Sequence, residues 1–181
     1  HQYGCSSLDA GDLTKATIAA RGEIYRQIQI LRTRGPVWRN VQLVATGARI
    51  GAREGRRLNG LYRVTLRDVL TGKTHPDGIC PVRFGIDVHA LSQDGDCKLE
   101  ATPPVAGCYE IPLRALIARD PNLLMAGRCI SGDFHAHASY RVSGNAAVTG
   151  QAAGILAALA AKRGTFPANV DYNDVIQEME R

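Results

Sequence analysis

The sequence predicts a mixed α/β fold, and three observations support this. Residues 14–34 carry apolar side chains at helical spacing, with Thr14 as a capping residue and Gly35-Pro36 as a stop. Residues 41–45 alternate apolar and polar side chains, which is typical of a strand. Residues 143–163 are small and apolar and end in Lys-Arg-Gly, which predicts a long helix with a defined C-terminus.

Shorter elements are predicted between these landmarks. Strand-like runs cover residues 79–90 and 123–126, and one helical turn begins at Thr65. The segment after Cys108 leads into a short helix, and a final helix begins at Asp171. Residues 91–107 are polar and rich in turn dipeptides, which predicts a surface loop.

Composition narrows the class of protein. The 181 residues are 45% hydrophobic and 22% charged, which is ordinary for a globular protein. Five cysteines without a C-x-x-C pair argue against a disulfide framework and against a zinc site. Cys97 and Cys108 flank a Pro-rich loop, so a disulfide between these two thiols stays open.

Targeting and charge patterns point to a soluble, cytoplasmic chain. The first residues lack a basic-then-apolar signal pattern, and no apolar run is expected to approach the roughly 20 residues of a membrane helix. The net charge of +5 suits an anionic cofactor or substrate but is too small to indicate nucleic acid. The basic cluster at residues 49–67 could still bind nucleic acid, but Tyr62 is its one aromatic residue.

The start of the long predicted helix has the features of an anion site. Its first N–H groups carry partial positive charge, and Ser143, Gly144 and Ala146 offer little steric hindrance. An electron-rich ligand edge could therefore reach the backbone. The alternative is that the Ala/Gly-rich helix serves close packing and binds no ligand.

Several segments, in order along the chain, resemble one known family. They are NLLMAGRCIS (122–131), ASYRVSGNAAVTGQAAGILAALA (138–160), IGAREGRRLNGLYRVTLRDVL (50–70), FGIDVHA (84–90) and YEIPLRALI (109–117). The chain resembles the FAD-dependent oxidoreductase family of glutathione-reductase-like flavoproteins. This resemblance implies the C-terminal part of a Rossmann-like FAD-binding fold in residues 118–181, and part of an antiparallel substrate-binding domain in residues 1–117.

The family's G-x-G-x-x-G segment, which holds the FAD pyrophosphate, does not occur in this sequence. We therefore expect a C-terminal portion of an enzyme, with the missing segment supplied by the parent protein or by a partner chain. On this expectation the chain alone is inactive. The alternative is a folded, catalytically incomplete module or subunit; a homo-oligomer is also compatible with the sequence.

The resemblance assigns the FAD contacts to two groups of residues. Gly127, Arg128 and Ser131 follow the last strand, where the family approaches the ribityl chain. The next helix directs its N-terminus at the pyrimidine edge of the flavin, which here maps to Arg141, Val142, Ser143, Gly144 and Asn145. Positive potential at that edge favours hydride acceptance by the flavin.

Four further residues are candidates for catalysis on a small substrate, hydroxylated or carboxylate-bearing. Strand alternation would put Arg53 and Arg57 on one face, where a carboxylate could bind; a surface salt bridge with Glu54 is the alternative. Asp87 and His89 would also share a strand face. His89 could take a hydroxyl proton while hydride leaves for the flavin, with Asp87 orienting it, although a purely structural histidine is the alternative.

Overall fold

The computed structural model describes residues 2–88, 107–120 and 122–181 of the chain. The described residues form two compact units, the first ending at Gly55 and the second beginning at Arg56. His89, Cys97 and most of the predicted 91–107 loop lie outside the described residues. The acid–base role of His89 and the Cys97–Cys108 pairing therefore stay predictions.

The first unit is built on helix α1, Ala10–Arg32. The helix begins four residues before the predicted Thr14, because the Asp9 side chain caps it by accepting from the Asp12 N–H at 2.8 Å. Thr14 is inside the helix, and its hydroxyl donates to the Ala10 carbonyl at 2.8 Å. A 3-10 turn, Pro36–Trp38, follows.

The predicted strand at residues 41–45 is wrong, since no residue from 41 to 47 has strand structure. Side chains of α1 instead hold this extended segment by its carbonyls: Arg32 Nε donates to Val41 O at 2.9 Å, and Arg21 Nη2 donates to Gly47 O at 3.3 Å. Among the residues that the structure describes, no strand lies beside this segment, and alternation alone does not make a sheet.

The second unit contains α2 (Leu66–Thr71), β1 (Gly78–Val82), β2 (Tyr109–Pro112), α3 (Phe134–Tyr140), α4 (Ser143–Arg163) and α5 (Tyr172–Met179). Strands β1 and β2 pair antiparallel, with Cys80 opposite Ile111 and Val82 opposite Tyr109. Helix α4 packs on β1 and α5. The mixed α/β class predicted from the sequence is confirmed.

Helix α2 begins where predicted, because Thr65 and Asp68 form a capping box. Burial raises the pKa of the Asp68 carboxyl. Hydrogen bonds from the Thr65 N–H and the Tyr62 hydroxyl, together with nearby Lys73, lower it by more, so the pKa lies below the usual value. The Tyr62 hydroxyl donates to Asp68 Oδ2 at 2.9 Å, and Lys73 Nζ lies 3.3 Å from Oδ1. These bonds hold the first turn of α2 against Tyr62 and Lys73 of the second unit.

Helix α4 spans Ser143–Arg163, as predicted, and ends at Gly164 in the left-handed conformation. By length and composition alone it could cross a membrane, so the expectation that no apolar run approaches that length is wrong for this helix. Core helices of globular proteins can have the same length and composition. Here Ala152, Leu156 and Ala160 are buried in the hydrophobic core. The cytoplasmic location stays a prediction.

Two other strand predictions need correction. The run predicted at 79–90 forms a strand only as far as Val82, and residues 83–88, including Asp87, are in no strand. At 123–126 the structure has a single antiparallel bridge between Leu124 and Ile117. A strand needs a continuous neighbour, and among the described residues that segment pairs only with the stretch just before it, through Ala118 N to Leu123 O and Met125 N to Leu116 O, each 2.9 Å.

The core of the second unit combines residues from both sides of the predicted boundary after residue 117. Val64 and Ile111 are fully buried with Ile130 and Leu156. Leu58 N donates to Cys129 O at 2.9 Å, and Val64 N donates to Ser131 O at 3.1 Å. The division into a substrate-binding part and an FAD-binding part stays a prediction.

Candidate functional site

Helix α3, which the sequence did not predict, is the centre of the candidate site. Its N-cap is Asp133, whose Oδ1 accepts from the Ala136 N–H at 2.8 Å while Oδ2 accepts from the Leu66 N–H at 2.6 Å. One carboxylate therefore accepts hydrogen bonds from backbone N–H groups in the first turns of both α2 and α3. Residues from Ala136 to Tyr140 are all buried, so α3 is an interior helix although it is only seven residues long.

Hydroxyl groups fix α3 from its buried side. Tyr109 of β2 donates to Ser139 Oγ at 2.9 Å, and Ser139 Oγ donates to Phe84 O at 2.6 Å. The Tyr140 hydroxyl donates to Ile130 O at 3.2 Å. Burial raises the pKa of both tyrosines far above the usual value, so these hydroxyls stay protonated donors.

His137 is the most unusual polar group on α3. Its side chain is buried, with 1% of the residue exposed, and Nε2 has no hydrogen-bond partner. Burial lowers the pKa of His137, and the charges of Arg57, Arg141 and Arg128 lower it further, to about 4. The imidazole is therefore neutral at physiological pH. Its ring lies 5.7 Å from the Tyr140 ring in an edge-on arrangement.

The three arginines around His137 come from separate segments. Arg57 lies near the start of the second unit, Arg128 lies in the 3-10 turn Gly127–Cys129, and Arg141 directly follows α3. Arg141 Nη2 donates to Asp87 O at 2.6 Å, and Asp87 N donates to Ala138 O at 3.2 Å. The positive charges of Arg57, Arg128 and Arg141 thus all lower the pKa of one buried imidazole, and the Asp87 backbone lies against α3.

The N-terminus of α4 follows directly. Its N-cap, Val142, makes no side-chain capping bond, and Ser143 and Gly144 are exposed. The first intrahelical bond runs from Ala146 N to Val142 O, so the N–H groups of Ser143, Gly144 and Asn145 precede it. The amide of Asn145 instead serves the protein: Nδ2 donates to Tyr140 O at 3.2 Å, and Oδ1 lies 3.6 Å from Cys80 Sγ.

The turn that carries Gly127 and Arg128 is held against this helix start. Gly127 has φ 64°, and its N–H donates to Thr149 Oγ1 at 3.0 Å. Thr149 Oγ1 in turn donates to Asn145 O at 2.7 Å. A Cβ at Gly127 would lie 3.4 Å from the Ala146 Cβ. The structure therefore juxtaposes the two groups of residues to which the sequence resemblance assigns FAD contacts.

Two predicted site residues lie elsewhere. Ser131 is buried in the core, where its Cβ faces Gly60 closely and its N–H donates to Ala115 O at 3.0 Å. Arg53 belongs to the first unit and Arg57 to the second. The predicted strand that would set them on one face is wrong, because none of residues 51–59 has strand structure.

A cavity of about 390 Å³ also opens on the second unit, away from the residues predicted for the site. Its wall includes the Asp77–Arg114 ion pair, in which Nε to Oδ2 measures 2.8 Å and Nη2 to Oδ1 measures 2.9 Å. Burial raises the pKa of Asp77, but the Arg114 bonds outweigh it and the pKa lies below its usual value. The ion pair in this cavity wall is satisfied by two hydrogen bonds between its own partners.

The chemistry of these donors fits an anionic, electron-rich ligand. The helix start of α4 offers N–H groups beside exposed small residues, the glycine turn lets the backbone approach, and Arg128 and Arg141 add positive charge. A cofactor that carries phosphates and accepts negative charge in its ring system suits such a set. A set of donors of this kind is typical of a class of proteins that bind an anionic redox cofactor.

The family model for FAD dependent oxidoreductase matches residues 1–179 of the chain. The chain therefore belongs to the FAD-dependent oxidoreductase family, and its cofactor is FAD. A search of the curated proteins gave no match to this chain, and a search of the solved structures gave none. The predicted family and cofactor are confirmed, whereas the narrower glutathione-reductase-like grouping stays a prediction.

Proposed function

We propose that this chain is the C-terminal part of an FAD-dependent dehydrogenase that takes hydride from a small hydroxylated, anionic substrate. The observation that carries the proposal is the bond between Gly127 N and Thr149 Oγ1, which holds the Arg128 turn on the first turns of α4. The helix start and Arg128 then act on the same ligand edge. FAD, when bound, supplies the acceptor for the hydride.

The chain's own residues have three tasks in this proposal. The N–H groups of Ser143, Gly144 and Asn145, with Arg128 and Arg141, hold the negative charge of the cofactor's ring system. Arg57 holds an anionic group of the substrate, and the same role for Arg53 stays a prediction from the sequence. An imidazole nitrogen of His89 takes the hydroxyl proton as the substrate's C–O bond becomes a carbonyl, with Asp87 as its orienting partner.

Titration of FAD into the purified chain, followed by visible absorbance, tests cofactor binding. The same titration is made with the full-length gene product, and with Arg128→Gln beside Arg119→Gln, an exposed arginine in the same unit, as the matched control. We expect a perturbed flavin spectrum and an affinity about tenfold lower for Arg128→Gln only. If neither protein binds FAD, the proposed function is refuted.

Hydride transfer is tested separately by anaerobic reduction of the FAD-loaded full-length protein with a panel of small hydroxy acids. His89→Ala should slow the bleaching of the flavin by about 10²–10⁴-fold without changing the resting spectrum. Unchanged reduction rates would remove His89 from the mechanism while leaving the cofactor assignment intact.

A second candidate function is a module that holds FAD only with another segment or partner chain. Helix α1 supports it, because Ala16 is its one buried residue whereas Ile18, Tyr25 and Ile30 are exposed, Ile18 by 68%. Apolar side chains in such number on one helix are typical of a surface that another protein segment covers. If the full-length product binds FAD and the chain alone does not, this candidate is preferred over independent activity.

A further inference from the structure

One side of helix α1 in the first unit exposes a row of apolar side chains. Ile18 and Tyr25 lie about two helical turns apart, and 68% and 59% of these residues are exposed. Among the described residues of this unit, Ala16 is the one hydrophobic residue that is buried. The described part of the unit therefore offers no core into which the two exposed side chains could turn.

The segment after α1 extends this surface. Arg21 Nη2 donates to Gly47 O at 3.3 Å and Arg32 Nε donates to Val41 O at 2.9 Å. The residues between these two carbonyls therefore lie beside the arginine side of α1, and Val44 among them is 96% exposed. Both arginines use neutral carbonyl oxygens as acceptors, so these bonds do not neutralise their positive charges.

Basic side chains flank Ile18 on both sides. At about 100° per residue, Arg21 and Arg32 lie about 40–60° to one side of Ile18. Lys15 and Arg26 lie about 60–80° to its other side. All four basic residues are exposed, and within the described part of the chain no carboxylate forms an ion pair with any of them.

The wider charge pattern determines the sign of the partner. Residues 13–52 contain seven Lys and Arg residues and one acidic residue, Glu23. On the helix, Glu23 and Asp12 lie about 120–140° from Ile18, so the charges beside the apolar row are all positive. A second copy of this surface would be repelled by the first, and an occupant that covers Ile18 and Tyr25 is therefore anionic.

We propose that this side of α1 binds the anionic surface of a lipid bilayer. The lipid face, as we name it, consists of Lys15, Ile18, Arg21, Tyr25, Arg26 and Arg32. Ile18 and Tyr25 enter the boundary of the acyl layer, and the long basic side chains reach from there to the phosphate groups. This inference goes beyond the proposed dehydrogenase and does not depend on FAD.

An acidic protein segment would carry the same sign of charge, but two features favour lipid. The apolar row has cations on both flanks, which is typical of a helix that lies in a bilayer interface. Trp38, in the turn that follows α1, is exposed, and tryptophan is enriched where lipid headgroups meet the acyl layer. A protein occupant is one of the outcomes that would overturn the proposal.

The fluorescence of Trp38 measures binding, because Trp38 is the single tryptophan of the chain and lies in the first unit. The purified chain is mixed with phosphatidylcholine vesicles that contain phosphatidylserine, and with vesicles of phosphatidylcholine alone. With the anionic vesicles only, we expect a saturable shift of the Trp38 emission to shorter wavelength and flotation of the chain with the lipid. Both should be lost at about 1 M salt, where the Debye length is about 3 Å.

Two pairs of variants locate the contact, and all four positions are exposed, so circular dichroism should show unchanged folding. Ile18→Ser should weaken binding to the anionic vesicles about tenfold, because it removes apolar area from the acyl boundary. Ile30→Ser is its matched control, since Ile30 lies about 120° from Ile18, and it should leave binding unchanged. Arg26→Gln should weaken binding about fivefold, whereas Arg119→Gln in the second unit should not.

Several results would overturn the lipid face. They are an absent Trp38 shift, equal shifts with neutral and anionic vesicles, and equal weakening by Ile18→Ser and Ile30→Ser. In the full-length product, a Trp38 emission that is already at short wavelength and does not respond to anionic vesicles would mean that protein covers the lipid face. That result would overturn the proposal and favour the second candidate function. None of these readouts needs FAD, so a failure of the proposed function leaves them unchanged.

Discussion

Replacing Asp133 by alanine should lower the free energy of unfolding by about 3 kcal/mol. Its carboxylate accepts from two backbone donors, Ala136 N at 2.8 Å and Leu66 N at 2.6 Å, at the starts of two helices. Hydrogen bonds to a charged acceptor contribute about 1.5–3 kcal/mol each, and alanine removes both. The two orphan N–H groups lie in a partly buried place where water replaces the carboxylate poorly.

Two further variants show how the loss of unfolding free energy depends on the number and burial of the hydrogen bonds. Asp133→Asn keeps one acceptor oxygen but turns an N–H₂ towards the other donor, so it should cost about half as much, near 1.5 kcal/mol. Asp171→Ala removes an exposed cap of α5, where Asn173 N donates to Oδ1 at 2.8 Å, and should cost about 1 kcal/mol. The order of the three losses follows from the number and burial of the bonds.

Urea unfolding followed by circular dichroism measures the losses. With a slope of about 2 kcal/mol per molar urea, the midpoints should fall by about 1.5 M for Asp133→Ala, 0.7 M for Asp133→Asn and 0.5 M for Asp171→Ala. If Asp133→Ala loses no more than Asp171→Ala, then the bond to Leu66 contributes nothing and the reasoning that α2 and α3 share one cap is refuted.

Three other predictions follow from the same structure. Gly127→Ala and Gly164→Ala should each lower the free energy of unfolding by about 1 kcal/mol, because the two φ angles are 64° and 62°. Only Gly127→Ala should also weaken FAD binding in a flavin titration. Equal weakening by both variants would remove Gly127 from the site. The pKa of Asp68 lies below its unfolded value, so its contribution to stability is present above about pH 4 and is lost as the pH falls through the folded pKa. In urea unfolding, the stability advantage of wild type over Asp68→Asn should therefore shrink below about pH 4. A difference that stays constant with pH would contradict this. Burial raises the pKa of Cys80 to about 11. At pH 8, iodoacetamide should therefore label the exposed Cys5 well before Cys80, as followed by mass spectrometry. Equal labelling of the two thiols would show that Cys80 is not buried.

Local signals in the sequence were enough to predict α4 and the start of α5. The small-residue run and Gly164 defined both ends of α4, and Asp171 defined the start of α5, since caps and stops act within one turn of the residues that carry them. The family resemblance and FAD also followed from the sequence, because the motifs at residues 122–131 and 138–160 are each continuous stretches of chain. The start of α1 was misplaced because Asp9, five residues before the predicted cap Thr14, caps its first turn.

Tertiary structure alone decided the strands and the environment of His137. A strand exists only where a partner lies beside it, so residues 41–45 and 123–126 could not be judged from alternation or apolarity. Helix α3 was not predicted, although Asp133 as a cap and the spacing of His137 and Tyr140 on one helical face were signals of it in the sequence. Its neighbours Arg57, Arg128 and Arg141 are far apart in the sequence, and only the folding of three segments around α3 brings their charges to one imidazole. Burial and electrostatic fields depend on distance in space. For this reason the sequence determined α4, α5 and the cofactor, whereas only the tertiary structure determined which charges act on His137.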